Sequence, residues 1–193
     1  MTKPVICIEG LDGVGKSETA ARLAARIGAM LVHTPPPELA AVREVWRLPS
    51  LGTINGRYLH FLAALTITSE RIRAHRQQYP IILDRYLLST YCYHLALGAN
   101  VVIDLSTLGL EEPTHVVLLD CDEEVRRKRL LGRVHRTQED LLTLGEIGQK
   151  VRDLYARSPT LRIDTTDLTI DEAIDRICKI CGTDSIAHQE YRE

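Results

Sequence analysis

The stretch that decides the fold is Gly10-Leu11-Asp12-Gly13-Val14-Gly15-Lys16-Ser17, which matches the pattern G-x-x-x-x-G-K-[ST] in full. A short apolar run precedes it and an amphipathic helical pattern follows it. Curled backbone in such a loop points successive N–H groups at phosphate oxygens, and the start of the next helix adds the positive end of its dipole. The stretch therefore predicts a phosphate-binding loop (P-loop) between a strand and a helix.

Each part of the P-loop has an expected partner in Mg-ATP. Lys16 is expected to bridge the β- and γ-phosphates, and the Ser17 hydroxyl is expected to bind Mg²⁺. Asp12 is unusual in an anion-binding loop: it either faces the metal or the acceptor sugar, or stabilises the turn. The predicted cofactor-binding residues are Gly10, Asp12, Gly13, Val14, Gly15, Lys16, Ser17 and Glu18. The motif does not identify the acceptor, because GTPases, motor ATPases and small-molecule kinases share it.

Short apolar runs with helical patterns between them predict the fold class. The predicted strands are Val5 to Ile8, Met30 to Val32, Ile81 to Leu83, Val116 to Leu119 and Leu161 to Ile163. This alternation predicts an α/β P-loop kinase fold, a three-layer sandwich in which a parallel five-stranded sheet carries helices on both faces. We expect one domain over residues 1–183, with a lid near 129–140 and a frayed tail at 184–193.

Composition and the start of the chain indicate which partners and which cellular compartment to expect. The net charge of −2 gives no bulk basicity for nucleic acid or membrane, so neither is expected as a partner. The start of the chain lacks a signal-peptide pattern, which predicts a cytoplasmic protein. The odd number of five cysteines favours reduced thiols. Cys178 and Cys181 continue an apolar helical stripe, so we expect them in the core.

Two charged segments suggest a second half of the site. Asp84 and Arg85 directly follow the third predicted strand, where open α/β sheets build their sites. Asp84 is expected to hold hydrated Mg²⁺ or orient the acceptor oxygen, and Arg85 to bind the acceptor phosphate. A surface ion pair is the alternative. The run 126–129 is interpreted as a solvated basic face, whereas Arg133 and Arg136 suit a mobile lid.

Several motifs together resemble the thymidylate kinase family. They are Ile8 to Ser17, Asp84-Arg85-Tyr86, the lid-like segment Glu124 to Glu139 and Ile163-Asp164-Thr165-Thr166. The resemblance implies an ATP-dependent, Mg²⁺-requiring nucleoside monophosphate kinase acting on dTMP or a related nucleotide, and a possible homodimer with Tyr58 to Leu65 in the contact. It implies catalytic roles for Lys16, Asp84, Arg85, Arg133 and Arg136, substrate contacts from Asp12, Phe61, Arg85, Ser89, Thr90 and Tyr93, and metal ligation by Ser17 and Asp84.

The acceptor side departs from the family pattern at two places. Thr34-Pro35-Pro36-Pro37-Glu38 replaces a T-R-E-P-G-G-like loop, and Leu65 stands where F-x-A-D-R has its arginine. A charge-assisted hydrogen bond is worth about 1.5–3 kcal/mol, so both losses would weaken acceptor binding unless other arginines substitute. The candidates are Arg43, Arg47, Arg57 and Arg71. Phe61 either stacks on a base or packs in the core.

Two further functions therefore stay open at the level of sequence. One is a P-loop kinase whose acceptor is a nucleoside or a specialised metabolite, because the missing arginines would have held a phosphate. The other is a non-catalytic module that binds a nucleotide as a switch. The N-K-x-D motif that a GTPase uses to read its base does not occur in the chain.

Overall fold

The computed structural model describes residues 2–39, 42, 53–134 and 138–183. Its centre is a five-stranded sheet in which every pair of neighbours is parallel. The strands are β1 (Val5–Glu9), β2 (Met30–His33), β3 (Ile81–Asp84), β4 (His115–Asp120) and β5 (Leu161–Asp164), in the spatial order β2-β3-β1-β4-β5. The predicted sheet is confirmed, and each strand covers its predicted run and extends it by at most two residues.

The two central strands explain why the sequence forms this sheet. Every residue of β1 and of β3 is buried, so both faces of these strands need apolar side chains. Their register pairs Val5 with Ile81 and Ile8 with Asp84. This register brings the P-loop, which follows β1, beside the residues that follow β3.

Helices cover both faces of the sheet, as predicted. They are α1 (Lys16–Arg26), α2 (Ile54–His75), α3 (Leu87–Ala96), α4 (Glu123–Leu131), α5 (Gln138–Leu142), α6 (Glu146–Ala156) and α7 (Ile170–Cys181), with 3₁₀ turns at Pro37–Leu39 and Leu105–Leu108. Leu23 of α1, Val151 of α6 and Ile174 of α7 pack in one apolar cluster with Ile6 of β1. Leu62 of α2 belongs to the cluster on the opposite face.

The last helix shows local sequence and tertiary packing in agreement. Thr169 caps α7: its side chain accepts from the backbone N–H of Glu172, whose carboxylate accepts in return from the backbone N–H of Thr169. These two reciprocal hydrogen bonds form a capping box. Cys178 and Cys181 are free thiols buried in the core, as their helical spacing predicted. Among the described residues, no helix is both long and apolar enough to cross a membrane.

Candidate active site

A cleft of about 380 Å³ opens at the carboxyl ends of β1, β2 and β3. Each predicted substrate-binding residue lines it, namely Asp12, Phe61, Arg85, Ser89, Thr90 and Tyr93. Asp84 and Arg133, which were predicted to be catalytic, line it as well. Side chains from the P-loop, α2, α3 and the segment after α4 thus share one cavity, as expected for a ligand site in an open α/β sheet.

The P-loop is held tightly between β4 and α4. Gly10, Gly13 and Gly15 have φ angles of 141°, 94° and 95°, which side chains rarely allow. A Cβ atom on Gly10 would lie 2.3 Å from the carbonyl oxygen of Leu119, and one on Gly13 would lie 2.7 Å from Cγ of Leu130. Gly15 is the N-cap of α1 and has no side chain to cap the first turn. The amide donors at the start of α1 therefore suit an anion.

Lys16 is buried inside the P-loop and is 5% exposed. Its Nζ donates a hydrogen bond to the carbonyl oxygen of Leu11 at 2.6 Å and lies 3.7 Å from Oδ1 of Asp12. Burial, together with the positive charge of Arg85, lowers the pKa of the Lys16 ammonium to about 8. Burial therefore disfavours the charged form of Lys16, and a bound anion would stabilise that form.

Asp12 faces the cleft and forms an ion pair with Arg85. The hydroxyl of Tyr93 donates to Oδ2 of Asp12 at 3.0 Å, and the Arg85 guanidinium carbon lies 5.1 Å from the centre of the Tyr93 ring. Burial alone would raise the pKa of the Asp12 carboxyl, but Arg85 and Lys16 outweigh burial and hold it below its usual range. Asp12 therefore stays ionised and connects the P-loop to the residues that follow β3.

Arg85 holds a backbone conformation that is uncommon for a side-chain-bearing residue, with φ of 69°. Its Nη1 donates to the hydroxyl of Ser89 at 2.9 Å and to the carbonyl oxygen of Gly10 at 3.3 Å. The P-loop and α3 thus fix the guanidinium before any ligand binds. Ser89 lines the cleft as predicted, and its hydroxyl also anchors Arg85.

Glu9, the last residue of β1, binds the start of α3 beneath the cleft. The sequence had suggested no role for it. Its carboxylate is fully buried and accepts from the backbone N–H groups of Tyr86 at 2.9 Å and Ser89 at 3.2 Å, as well as from the Ser89 hydroxyl. These N–H groups belong to the start of α3, where the helix dipole favours a negative charge. A glutamate directly after the apolar run 5–8 was the available signal.

Asp84 ends β3 and is 7% exposed. Its Oδ2 lies 3.3 Å from Nδ1 of His33, whereas its buried Oδ1 has no hydrogen-bond partner in the part of the chain that the structure describes. A carboxylate oxygen without a partner, in the same cleft as a P-loop, fits Mg²⁺, which prefers oxygen ligands and keeps several waters. Within the described ranges, no group of three or more His, Cys, Asp or Glu side chains is arranged to hold an ion.

The family model described as thymidylate kinase matches residues 8–177 of the chain. The chain belongs to the thymidylate kinase family. It is 34% identical over 182 residues to a probable thymidylate kinase of Thermococcus onnurineus, a match that covers 82% of this chain and 87% of that relative.

Solved structures agree with this assignment at the level of the fold. The thymidylate kinase from Candida albicans superposes with a TM-score of 0.75 at 22% identity, covering 97% of this chain and 94% of that one. A deoxyadenosine kinase from M. mycoides superposes with a TM-score of 0.69 at 20% identity, covering 93% and 99%.

The structure corrects the prediction made for the basic run 126–129. Arg126 is 1% exposed, so the interpretation of 126–129 as a solvated face is wrong at this residue. Its Nη1 donates to the carbonyl oxygen of Asp12 at 2.9 Å, and its Nη2 donates to the carbonyl oxygen of Thr143 at 2.6 Å. Glu123 pairs with the same guanidinium at 2.7 Å. The signal was position: Arg126 and the buried Leu130 are four residues apart on one face of α4.

The arginines of the predicted lid do not all lie in the cleft. Nη1 of Arg133 lies 2.7 Å from Oδ1 of the buried Asp140, and both residues line the cleft. Arg136 lies outside the described residues. Arg129, at the start of the predicted lid, donates instead to the carbonyl oxygen of Thr165 at 3.0 Å, in the loop after β5. The structure thus brings Arg133 to the site, and a catalytic role for either lid arginine stays a prediction.

Four arginines were candidates to replace the two that the family pattern places on the acceptor side, and one of them lies in the cleft. Arg57 of α2 lines it, with its guanidinium carbon 5.6 Å from the centre of the Phe61 ring. Arg71 pairs with the exposed Glu38 at 2.8 Å and does not line the cleft. Arg43 and Arg47 lie outside the described residues. Phe61 faces the cleft, while Leu62 of the same helical turn is in the core.

Proposed function

We propose that the chain transfers the γ-phosphoryl group of ATP to dTMP, and that this is a magnesium-dependent reaction. One observation carries the proposal: the Arg85–Asp12 ion pair joins the P-loop to the residues after β3 inside one cleft. A donor phosphate on the P-loop and an acceptor phosphate on Arg85 would then be neighbours. Such closeness is the main requirement of phosphoryl transfer, which depends on positioning and charge stabilisation.

The donor half follows from the P-loop. The amides of Gly13 to Ser17 would bind the β-phosphate, while Lys16 would exchange its contact with the Leu11 carbonyl for phosphate oxygens. Mg²⁺, when bound, supplies positive charge to the transferring group. Ser17 and Asp84 are the residues that would hold it, and the Asp84 oxygen without a partner is the feature that supports this assignment.

The acceptor half uses the opposite wall. Arg85 would present its guanidinium to the acceptor phosphate, and Asp12 and Tyr93 would hold that guanidinium in place. Phe61 would stack on the base, with Arg57 beside it. Arg133, which Asp140 holds at the mouth, would add positive charge to the transition state as the lid excludes water.

A coupled assay of ADP release tests this function. The purified chain would be given Mg-ATP with dTMP, dUMP, dCMP or dGMP, and in parallel with thymidine or deoxyadenosine. We expect turnover with dTMP that Lys16→Ala abolishes. If the variant retained the activity, a contaminating kinase would account for it. Failure to transfer phosphate to any acceptor would reject the kinase and leave only a nucleotide-binding module.

A nucleoside acceptor is the second candidate. Thr34 and Pro35 line the cleft where the family usually carries a phosphate-binding arginine, and the fold also resembles a deoxyadenosine kinase. This candidate predicts that thymidine or deoxyadenosine is phosphorylated faster than dTMP in the same assay. Equal or faster turnover of dTMP would exclude it.

We also infer that the chain forms a homodimer through α2. Leu59, Ala63 and Ile67 are exposed at a spacing of four residues, which makes an apolar stripe along this helix. Sedimentation velocity should give the mass of two chains, and Leu59→Glu should shift it to one. A monomeric unmodified chain would contradict the inference.

A further inference from the structure

His94 of α3 carries a buried hydrogen-bonding atom that none of the described residues contacts through a hydrogen bond. The residue is 2% exposed and lines the cleft, yet its Nε2 has no hydrogen-bond partner among the residues that the structure describes. Leaving a buried polar atom unpaired is unfavourable, so such atoms call for an explanation. A ligand in the cleft is the partner that the location suggests.

The chemistry of that atom follows from the other ring nitrogen. Nδ1 of His94 lies 2.6 Å from the carbonyl oxygen of Thr90, and a carbonyl only accepts, so Nδ1 carries the hydrogen. Burial lowers the pKa of the His94 imidazole to about 4, so the ring is neutral at pH 7. Nε2 is therefore a lone-pair acceptor and requires an N–H or O–H donor from its partner.

The ring is also fixed in orientation. The Tyr58 ring stacks on it with centroids 5.1 Å apart and an interplanar angle of 24°. The Phe61 ring lies on another side, with centroids 4.9 Å apart. Phe61 is the residue expected to stack on the acceptor base, so the unpaired nitrogen lies beside the place where a base would bind.

We propose that Nε2 of His94 reads the acceptor base by accepting a hydrogen bond from its N–H group. In a thymine nucleotide the base has a single N–H, at N3, between two carbonyl groups. Arg57, in the same wall, offers donors to a carbonyl of that edge. A base without this donor would leave Nε2 unpaired in a buried site, so the site would bind that base more weakly. The inference rests on the proposed function and adds a determinant of base specificity to it.

Steady-state kinetics with N3-methylated dTMP, which lacks the donor, provides the test. The enzyme variants would be the unmodified chain, His94→Phe, which keeps a ring between Tyr58 and Phe61, and His94→Gln, which keeps a side-chain acceptor. His75→Phe is the matched control, because His75 lies in the last turn of α2 and does not line the cleft. Thermal unfolding of each variant would confirm that it is folded.

The unmodified chain should prefer dTMP over the methylated nucleotide by about tenfold or more in kcat/KM. His94→Phe should raise KM for dTMP about tenfold with little change in kcat, and the preference should collapse to about one. His94→Gln should restore part of it, and His75→Phe should behave as the unmodified chain.

The outcomes separate the two proposals. If dTMP is phosphorylated but His94→Phe keeps the preference for dTMP, the role of His94 is refuted while the proposed function stands. If no nucleoside monophosphate is phosphorylated, the proposed function fails and the role of His94 fails with it.

Discussion

The buried guanidinium of Arg126, in α4, donates a hydrogen bond to the main-chain carbonyl of Asp12, inside the P-loop, at 2.9 Å. The same side chain donates to the carbonyl oxygen of Thr143, in the segment before α6. The phosphate site therefore depends on a residue more than a hundred positions away in the sequence, which fixes the loop from behind rather than touching its ligand.

Arg126→Met should loosen the P-loop and destabilise the chain. The substitution leaves two carbonyl oxygens without their donor, and each unpaired buried group costs about 1–3 kcal/mol. We expect a lower free energy of unfolding in urea by about 2–4 kcal/mol and a raised KM for ATP. Lys128→Met, at an exposed position of the same helix, should change neither quantity, and a similar loss in both variants would contradict the role of Arg126.

Glu9→Ala should damage α3 and Arg85 together. It removes the acceptor of two backbone N–H groups at the start of α3 and of the Ser89 hydroxyl, which in turn anchors Arg85. We expect a lower melting temperature and a reduced kcat.

The matched control for Glu9 is Glu146→Ala, which removes an exposed glutamate from the first turn of α6. It should have little effect on the melting temperature or on kcat. Glu9→Ala with unmodified stability and activity would show that the buried carboxylate contributes nothing.

The described fold was readable from the sequence wherever a buried surface is apolar. The runs at Val5 and Ile81 are buried on both faces, so their hydrophobicity alone revealed β1 and β3. Helix α3 escaped this reasoning because its buried residues include the polar Ser89, Thr90 and His94, which line the cleft. Hydrophobic periodicity cannot find a helix whose buried face is polar.

The candidate site divides in the same way. The P-loop and Asp84-Arg85 were found because short-range spacing carries their chemistry. Glu9 and Arg126 were missed because partners of each lie far along the chain, at Ser89 and at Asp12. The local signals, a glutamate directly after an apolar run and an arginine four residues before Leu130, are too weak by themselves to separate a buried charge from a solvated one.

ATP binding should take up a proton at alkaline pH. Without ATP, the pKa of Lys16 in the folded protein is about 8, below the usual 10.5. Phosphate oxygens favour the charged ammonium, so bound ATP should raise that pKa. Calorimetric titrations at pH 8.5 in two buffers with different ionisation enthalpies should show net proton uptake, and ATP affinity should fall as the pH rises through 8. The absence of uptake would contradict the account of Lys16.

The same shift has a defined sign for folding. Between pH 8 and 10.5 the unfolded chain binds more protons at Lys16 than the folded chain does. The contribution of this group to stability without ligand should therefore rise with pH across that window.

Asp84→Asn should reduce catalysis without reducing stability. The Oδ1 atom of Asp84 has no hydrogen-bond partner within the described residues, and Oδ2 pairs with the exposed His33, so we expect the charge to contribute little to stability. We expect kcat to fall about 100-fold or more, since an electrostatic group at the reacting centre is worth that much, and the Mg²⁺ concentration for half-maximal activity to rise. The control is Asp120→Asn, at the corresponding end of β4. Equal effects in the two variants would remove the special role of Asp84.

The most direct test of the central claim is a crystal structure of the chain with ADP, Mg²⁺ and dTMP. The account predicts the ADP β-phosphate on the backbone amides of Gly13 to Ser17, the dTMP phosphate on Arg85, and thymine against Phe61. Phosphates bound outside the P-loop, or dTMP bound outside the cleft that Asp12 and Arg85 line, would contradict it.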